Sequence, residues 1–391
     1  STGISMCMTA PLHLLLLCPG ALSHPTRYPP KPPAGVKGLY WDRTSLKQRI
    51  HYEVAEPPKG PSNSAPVLLL NGFGVGSFTW HRNMAALAAS TGASVYAMDY
   101  VGQGASWPVD CDDGNAESEQ GLRYAIDDWK AQAAEFIDAI VLRGASPDAC
   151  VHLVGNSAGG LLAALLAAEP GSRVASLCLL NATPVWGSNL PGWDGRLPGP
   201  AVPRAIGRYL YDRMRDRANI AEMLEQVYAA PEQAEPLVEQ IRAVTDASEG
   251  GHAAFASILW SPPATLPGGA GGFEALLQLC GCDALLLYGA DDPWCSPPFG
   301  RAAARALTRR ACAGERRTEL VLLSPAGHCP HHEAPEAANA ILSRWVKGQP
   351  PLASADAATE AFGRVSAARA QSEGELEPRT PWEGLLTGML S

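Results

Sequence analysis

Charge is sparse in this chain: 18% of its 391 residues are Asp, Glu, Lys or Arg, against 46% that are hydrophobic. No block of Lys or Arg interrupts the pattern, and the net charge is −9, so nothing points to nucleic acid. Long apolar runs are missing too. None reaches the roughly eighteen residues of a membrane-crossing helix, so no transmembrane span is expected. The ten cysteines include no CxxC, and Cys280 and Cys282 form only a CxC, so structural zinc spacing is absent. Ten in so long a chain is no disulfide framework, and free thiols in a reducing compartment are expected. Neither G-x-G-x-x-G nor a Gly-rich loop ending in Lys-[Ser/Thr] occurs, which removes the common phosphate-binding loops.

Glycine and proline are plentiful, at 39 and 34. Residues 1–38 are proline-rich and end in HPTRYPPKPPAGVKG, which reads as a leader, transit-like or disordered segment. Its short LHLLLL run suits a secretory h-region or an organelle transit sequence. Residues 350–391 turn to Ala, Glu, Ser and Pro and read as a weakly ordered tail, whose last apolar stretch, WEGLLTGML, is expected to pack loosely.

Between these ends, short apolar runs alternate with helical spacing. Strands are expected at 67–70, 94–98, 151–154, 176–180, 284–288 and 320–323, with helices at 125–141, 160–168 and 334–346. This alternation predicts an α/β fold: a mostly parallel central sheet with helices on both faces. It breaks between Trp186 and Cys280, where only helices are expected, at 204–215, 219–229, 232–244 and 252–260. The expected organisation is a core of 39–185 and 281–349, with a helical cap of 186–280 inserted over the C-terminal sheet edge, where open α/β sheets place ligands.

The strongest motif is VHLVGNSAGG at 151–160, a G-x-S-x-G pentapeptide with a strand before it and an Ala-rich helix after it. That context is the nucleophile elbow, and it makes Ser157 the candidate nucleophile. A serine hydroxyl needs a base, and His328, in SPAGHCPHHE after the strand at 320–323, is the candidate. His331 and His332 are expected at the surface. A metal cluster of His328, Cys329, His331 and His332 is the competing reading, but nothing elsewhere completes such a site, and no metal is expected. The base needs a carboxylate to hold its tautomer. LLLYGADDPW offers two; the G-x-x-D pattern that α/β-hydrolases carry after this strand, counted from Gly289, selects Asp292, with Asp291 the alternative. The order Ser, Asp, His is that of α/β-hydrolases. For an oxyanion hole, Ala158 supplies one backbone N–H and Phe73, in the Gly-rich NGFGVGSF turn, the other. Gly72, Trp186 and Trp294 are candidate substrate contacts. DYVGQGASW at 99–107 reads as a loop that lines the site at most.

These residues, with LLNATPVWG at 179–187, NIAEMLEQVY at 219–228 and FASILWSP at 255–262, resemble the pheophytinases, plastid α/β-hydrolases that remove phytol from pheophytin. The resemblance runs from about Tyr40 to Lys347 and places the nucleophile on Ser157, the acid on Asp292 and the base on His328. The chain departs from it at Ala158 and at Leu161-Leu162, where the family usually carries Leu and then Tyr-Val, and between Ser106 and Gly121, which is shorter. The resemblance implies hydrolysis of a phytyl ester to pheophorbide and phytol in the chloroplast, with peripheral contact to the thylakoid membrane or to other pigment-breakdown proteins. Serine ester hydrolysis needs no cofactor. A broader chlorophyll dephytylase or lipid carboxylesterase is the near alternative. A non-catalytic hydrolase-fold protein that binds a hydrophobic ligand is the distant one. Ser157 at the elbow excludes a dehalogenase or epoxide hydrolase, which would carry Asp there.

Overall fold

The computed structural model describes residues 30–371 apart from 47, 61–62, 108–120, 185, 188–191, 247–250 and 311–314. The LHLLLL run and the WEGLLTGML stretch lie outside the described residues.

The sheet opens with β1 (Val36–Arg43) and β2 (Gln48–Ala55), an antiparallel pair. Then come β3 (Val67–Leu70), α1 (Met84–Thr91), β4 (Val95–Met98), α2 (Ile126–Phe136), β5 (Val151–Asn156), α3 (Ala158–Ala167) and β6 (Val174–Leu180). Among the described residues four helices follow without a strand: α4 (Ala201–Met214), α5 (Arg217–Val227), α6 (Glu235–Asp246) and α7 (Gly251–Trp260). The chain returns through α8 (Phe273–Gln278), β7 (Asp283–Gly289), α9 (Pro297–Thr308), β8 (Thr318–Ser324), α10 (Pro330–Glu333) and α11 (Pro335–Val346), and ends in β9 (Thr359–Phe362) and β10 (Val365–Arg369). The ten strands form one sheet in the order β1-β2-β4-β3-β5-β6-β7-β8-β10-β9. The six from β4 to β8 are parallel, and the outer two on each side are antiparallel.

The inner strands are apolar on both faces because helices cover both. Alternate residues separate into two cores. Leu68, Leu70, Leu177, Leu179 and Leu286 meet Trp129 and Phe136 of α2, the leucines of α3, and Leu276 and Leu277 of α8. Leu69, Cys178, Leu180, Leu285 and Leu287 meet Met84 and Leu87 of α1 and Ile341 and Trp345 of α11. A third cluster, with Phe78, Val227, Tyr228, Leu237 and Val244, joins α5 and α6 to the loop after β3.

Four expectations need correction. The sheet starts at Val36, inside the stretch read as leader, and it continues through β9 and β10, inside the stretch read as a weakly ordered tail. The outermost strands β1 and β9 bury few side chains, so their apolar pattern is faint, and the hairpins join the sheet through pairing of β2 with β4 and β10 with β8. Within the 186–280 insertion, α8 packs in the core rather than over the site, with Leu276 and Leu277 buried. His331 and His332 are buried, not at the surface. Short α10 tucks under the loop after β3, so the His331 ring lies 3.9 Å from Trp80, and His332 Nδ1 lies 3.1 Å from the Tyr228 hydroxyl.

Candidate active site

The chain runs from β3 outward to β4 and then crosses to β5 on the other side of β3. Loops after β3 and β5 therefore diverge, and a crevice opens between them. Gly72 and Phe73 lie on one side, Ser157 on the other.

Ser157 follows β5 with φ 53°, a left-handed conformation that a non-glycine residue rarely keeps. Surrounding backbone holds it: its N–H donates to Leu180 O at 3.1 Å, and its carbonyl accepts from Gly160 N at 2.9 Å and Thr183 N at 3.1 Å. The elbow leaves no room for side chains beside it. A Cβ on Gly159 would sit 2.1 Å from Leu70 O, and one on Gly155 would sit 2.2 Å from Gly159 O. Gly72 crosses close to the serine, where a Cβ would lie 3.2 Å from Ser157 Cβ.

His328 Nδ1 lies 2.7 Å from Asp292 Oδ2, with both residues buried. The carboxylate places the ring proton on Nδ1 and leaves Nε2 as the free acceptor. Asp292 is held by two further donors, Trp294 N on Oδ1 at 2.8 Å and Asn181 Nδ2 on Oδ2 at 2.7 Å. Asp291 is exposed; its Oδ2 accepts from Ala326 N at 3.1 Å, so it braces the His328 loop instead of meeting the ring. Among the described residues no hydrogen bond joins Ser157 to His328, but both face one cavity. Such contacts often tighten only when substrate is bound.

Phe73 and Ala158 flank Ser157 at the ends of β3 and β5. Ala158 is the first residue of α3, so its N–H has no partner within the helix. The Phe73 turn is pinned by the DYVGQGAS loop. Gln103 Oε1 accepts from Gly74 N at 2.5 Å, and Asp99 Oδ1 accepts from Ser77 N at 2.5 Å. Asp99 is itself buried against His51 Nδ1 at 2.9 Å. A loop read from sequence as lining the site thus also sets the geometry of its neighbour.

Sequence reasoning passed over three more residues. Asn156 Nδ2 donates to Leu180 O at 3.0 Å and to His328 O at 2.9 Å, tying the elbow to the base loop. Asn181 joins Asp292 to β7, since its Oδ1 accepts from Gly289 N at 2.8 Å. Buried Glu333 accepts from Gly327 N at 3.1 Å and Ala229 N at 3.2 Å, bridging the base loop and the end of α5. His328 N also donates to Val227 O at 2.8 Å. The partners lie far apart in sequence, and only the flanking GNS, LLNATP and PHHE motifs hinted at them.

The competing metal cluster is not assembled, because His331 and His332 turn toward Trp80 and Tyr228. Asp292, Cys295 and His328 do offer ligand atoms within 4.8 Å of one another, though two of them are already paired. Burial pushes the Cys329 thiol up to about 12, and Cys295 is also raised, so neither competes with Ser157 as a thiolate.

Above Ser157 and His328 the cavity is walled by Phe73, Trp107, Trp186 and Trp294 and by Tyr211, Met214, Met223, Leu224, Ile241, Val244, Phe255 and Ile258 of α4 to α7. Trp186 packs on Phe73 at 4.7 Å between ring centres, and Trp294 on His328 at 5.4 Å. Of the expected site residues, Gly72, Phe73, Ser157, Trp186, Trp294 and His328 line this one cavity, while Asp292 lies behind His328 and Ala158 at the start of α3 is buried beneath Ser157; α4 to α7 form the opposite wall.

Residues 67–341 match the model of the alpha/beta hydrolase family. The chain belongs to that family. Pheophytinase of Arabidopsis thaliana is 31% identical over 338 residues, 77% of this chain and 64% of that protein. A putative carbamate hydrolase of Variovorax paradoxus is 37% identical over 133 residues, 34% of this chain and 42% of that protein. The chain thus spans less than two thirds of the length of the curated relatives it matches. Among solved structures, an esterase of Exiguobacterium antarcticum superposes with TM-score 0.55 at 20% identity, covering 80% of this chain and 100% of the other. A thermophilic esterase of Thermogutta terrifontis gives 0.54 at 20% identity, covering 80% and 98%. At that identity these two establish the α/β-hydrolase fold alone.

Proposed function

We propose that this α/β-hydrolase is a serine esterase that cleaves the phytyl ester of a chlorin, pheophytin in the first instance, with Ser157 as nucleophile, His328 as base and Asp292 as the acid. The observation that carries the reading is the Asp292–His328 pair, whose imidazole lines one apolar cavity with a strained Ser157. The 31% identity to pheophytinase across 77% of the chain supports the substrate.

In this reading Ser157 Oγ attacks the ester carbonyl while His328 Nε2 takes its proton. The oxyanion accepts hydrogen bonds from the Phe73 and Ala158 N–H groups. His328 then gives the proton to the departing phytol oxygen as the C–O bond breaks. Water enters, loses a proton to His328 and attacks the acyl carbon. The Ser157 oxygen leaves with that proton, and pheophorbide is freed. Asp292 holds the imidazole tautomer and balances its positive charge throughout. Trp186, Trp294 and Gly72 contact the substrate around the ester. The core and cap division of the chain, and a chloroplast location, belong to the same proposal.

The test is phytol release by the purified chain from pheophytin a and chlorophyll a in parallel, with Ser157→Ala as control. Release from pheophytin alone supports the reading. Release from both makes a broader dephytylase. Release from neither, with aryl esters still cleaved, overturns the substrate.

A further inference from the structure

Large hydrophobic side chains are exposed at only seven described positions, and three of them, Val202, Ile206 and Tyr209, share one helix, α4. Their spacing of four and then three residues puts them on one face. The opposite face carries Gly207, packed so closely on α7 that a Cβ there would meet Ala256 Cβ at 2.4 Å. It also carries Tyr211 and Met214, which line the active-site cavity. One helix therefore walls the cavity on its inner side and bears an apolar stripe on its outer side. Val202 is 69% exposed, Tyr209 60% and Ile206 41%.

The charge around the stripe is unlike that of the rest of the chain. Between Ala201 and Arg217 there are five arginines against two aspartates, in a protein whose net charge is −9. Arg213 is exposed on the stripe itself and reaches the Tyr209 hydroxyl at 3.4 Å, whereas Arg208 turns to His252 of α7, Arg215 pairs with Asp212 and Arg217 pairs with Glu235 and Glu239. An apolar stripe edged by arginine suits a surface that is apolar beneath and anionic on top.

We propose that the outer face of α4 docks on an anionic lipid bilayer. Val202, Ile206 and Tyr209 enter the interface and Arg213 meets the lipid phosphates. The bilayer then lies about one helix diameter, ~10 Å, from the cavity that α4 walls. This deepens the lipid-ester reading and rests on it for the substrate's route, from the bilayer past α4 to Ser157.

The test is flotation of the full chain with vesicles of phosphatidylcholine alone or with one third phosphatidylglycerol. The wild type is expected to float with the anionic vesicles only. A Val202→Ser/Ile206→Ser/Tyr209→Ser variant, shown folded by circular dichroism, should bind at least about ten-fold less. Arg213→Glu should weaken binding and flatten its salt dependence. Turnover of a vesicle-embedded ester should fall with binding while turnover of a dissolved aryl ester stays unchanged. Unaltered flotation of the triple variant overturns the docking, and so does equal binding to neutral vesicles. If sedimentation shows that the triple substitution separates copies of the chain without changing flotation, the stripe is a self-association surface and the docking is overturned. Flotation that depends on the stripe, with no ester cleaved, upholds the docking and sinks the esterase reading.

Discussion

Ser157 makes the first prediction at the scale of single residues. Ser157→Ala should lower kcat by at least ~10³-fold with an unchanged melting temperature, measured on an aryl ester. A residual rate of more than a few per cent would refute the nucleophile. The two neighbouring aspartates give the second. Asp292→Asn should cost on the order of 10⁴-fold in kcat by disturbing the imidazole tautomer, whereas Asp291→Asn should cost only a few-fold, since its carboxylate meets Ala326 N and not the ring. Equal losses would undo the assignment. Asn181 gives the third. Its Nδ2 holds Asp292 Oδ2 and its Oδ1 holds Gly289 N, so Asn181→Ala leaves the carboxylate free to swing from the ring. On an aryl ester kcat should fall about ten-fold with KM little changed, a split that mere loosening of the fold would not produce. The candidate triad could be read from sequence because an elbow, a strand-end aspartate and a turn histidine each carry a local pattern. Asn156, Asn181 and Glu333 could not. Asn156 meets a partner 172 residues away, Asn181 one 111 away and Glu333 one 104 away, and no local pattern encodes such a pairing.

At the scale of elements, α3 shows how closely helix and sheet are fitted. Its first turn rests on the ends of β3 and β6 through Gly159 and Gly160. In Gly159→Ala the methyl would collide with Leu70 O, a backbone atom that cannot turn aside. Overpacking of this kind costs about 1–3 kcal/mol or more. Equilibrium denaturation should show at least that loss, and a stability within error of wild type would mean that α3 can shift. The parallel strands β3 to β8 were legible because both faces are buried, which leaves unbroken apolar runs such as VLLL and LLLY. The helices α4 to α7 were legible from their 3.6-residue period, to within a few residues. The hairpins β1–β2 and β9–β10 were not. Their outer strands alternate weakly, and they belong to the sheet only because β4 and β8 offer edges to pair with. Pairing of that sort is a property of the neighbour.

For the whole molecule, buried histidines set the response to acid. Burial holds His332 down to about 3 and His152 to about 4, and His331 is also well below its ordinary value. Each stays neutral in the fold but takes up a proton near pH 6.5 when unfolded. Their stabilisation is complete above pH 6.5 and drains away as pH falls from there toward 3 to 4. His51 acts in the opposite sense. Burial opposes its charge, yet the Asp99 carboxylate carries its pKa above the ordinary value, so its contribution is complete below pH 6.5 and is lost as pH rises above that. Melting temperature should therefore peak near neutrality and drop steeply below pH 6. A flat profile between pH 7 and 4.5 would show that these rings are reached by water. Length and alternation made the α/β architecture readable at this scale, while the extent of the sheet was hidden in its edges. One contact ties the two layers of the molecule together: the turn that carries His328 leans on the end of α5, backbone on backbone, with Glu333 clasping both. If the roof must lift to admit a bulky ester, the base is pulled out of line by the same movement, and it returns only when the roof settles over a substrate that fits. The hydrolase would then carry its own safety catch, disarmed while open to water and armed by closure.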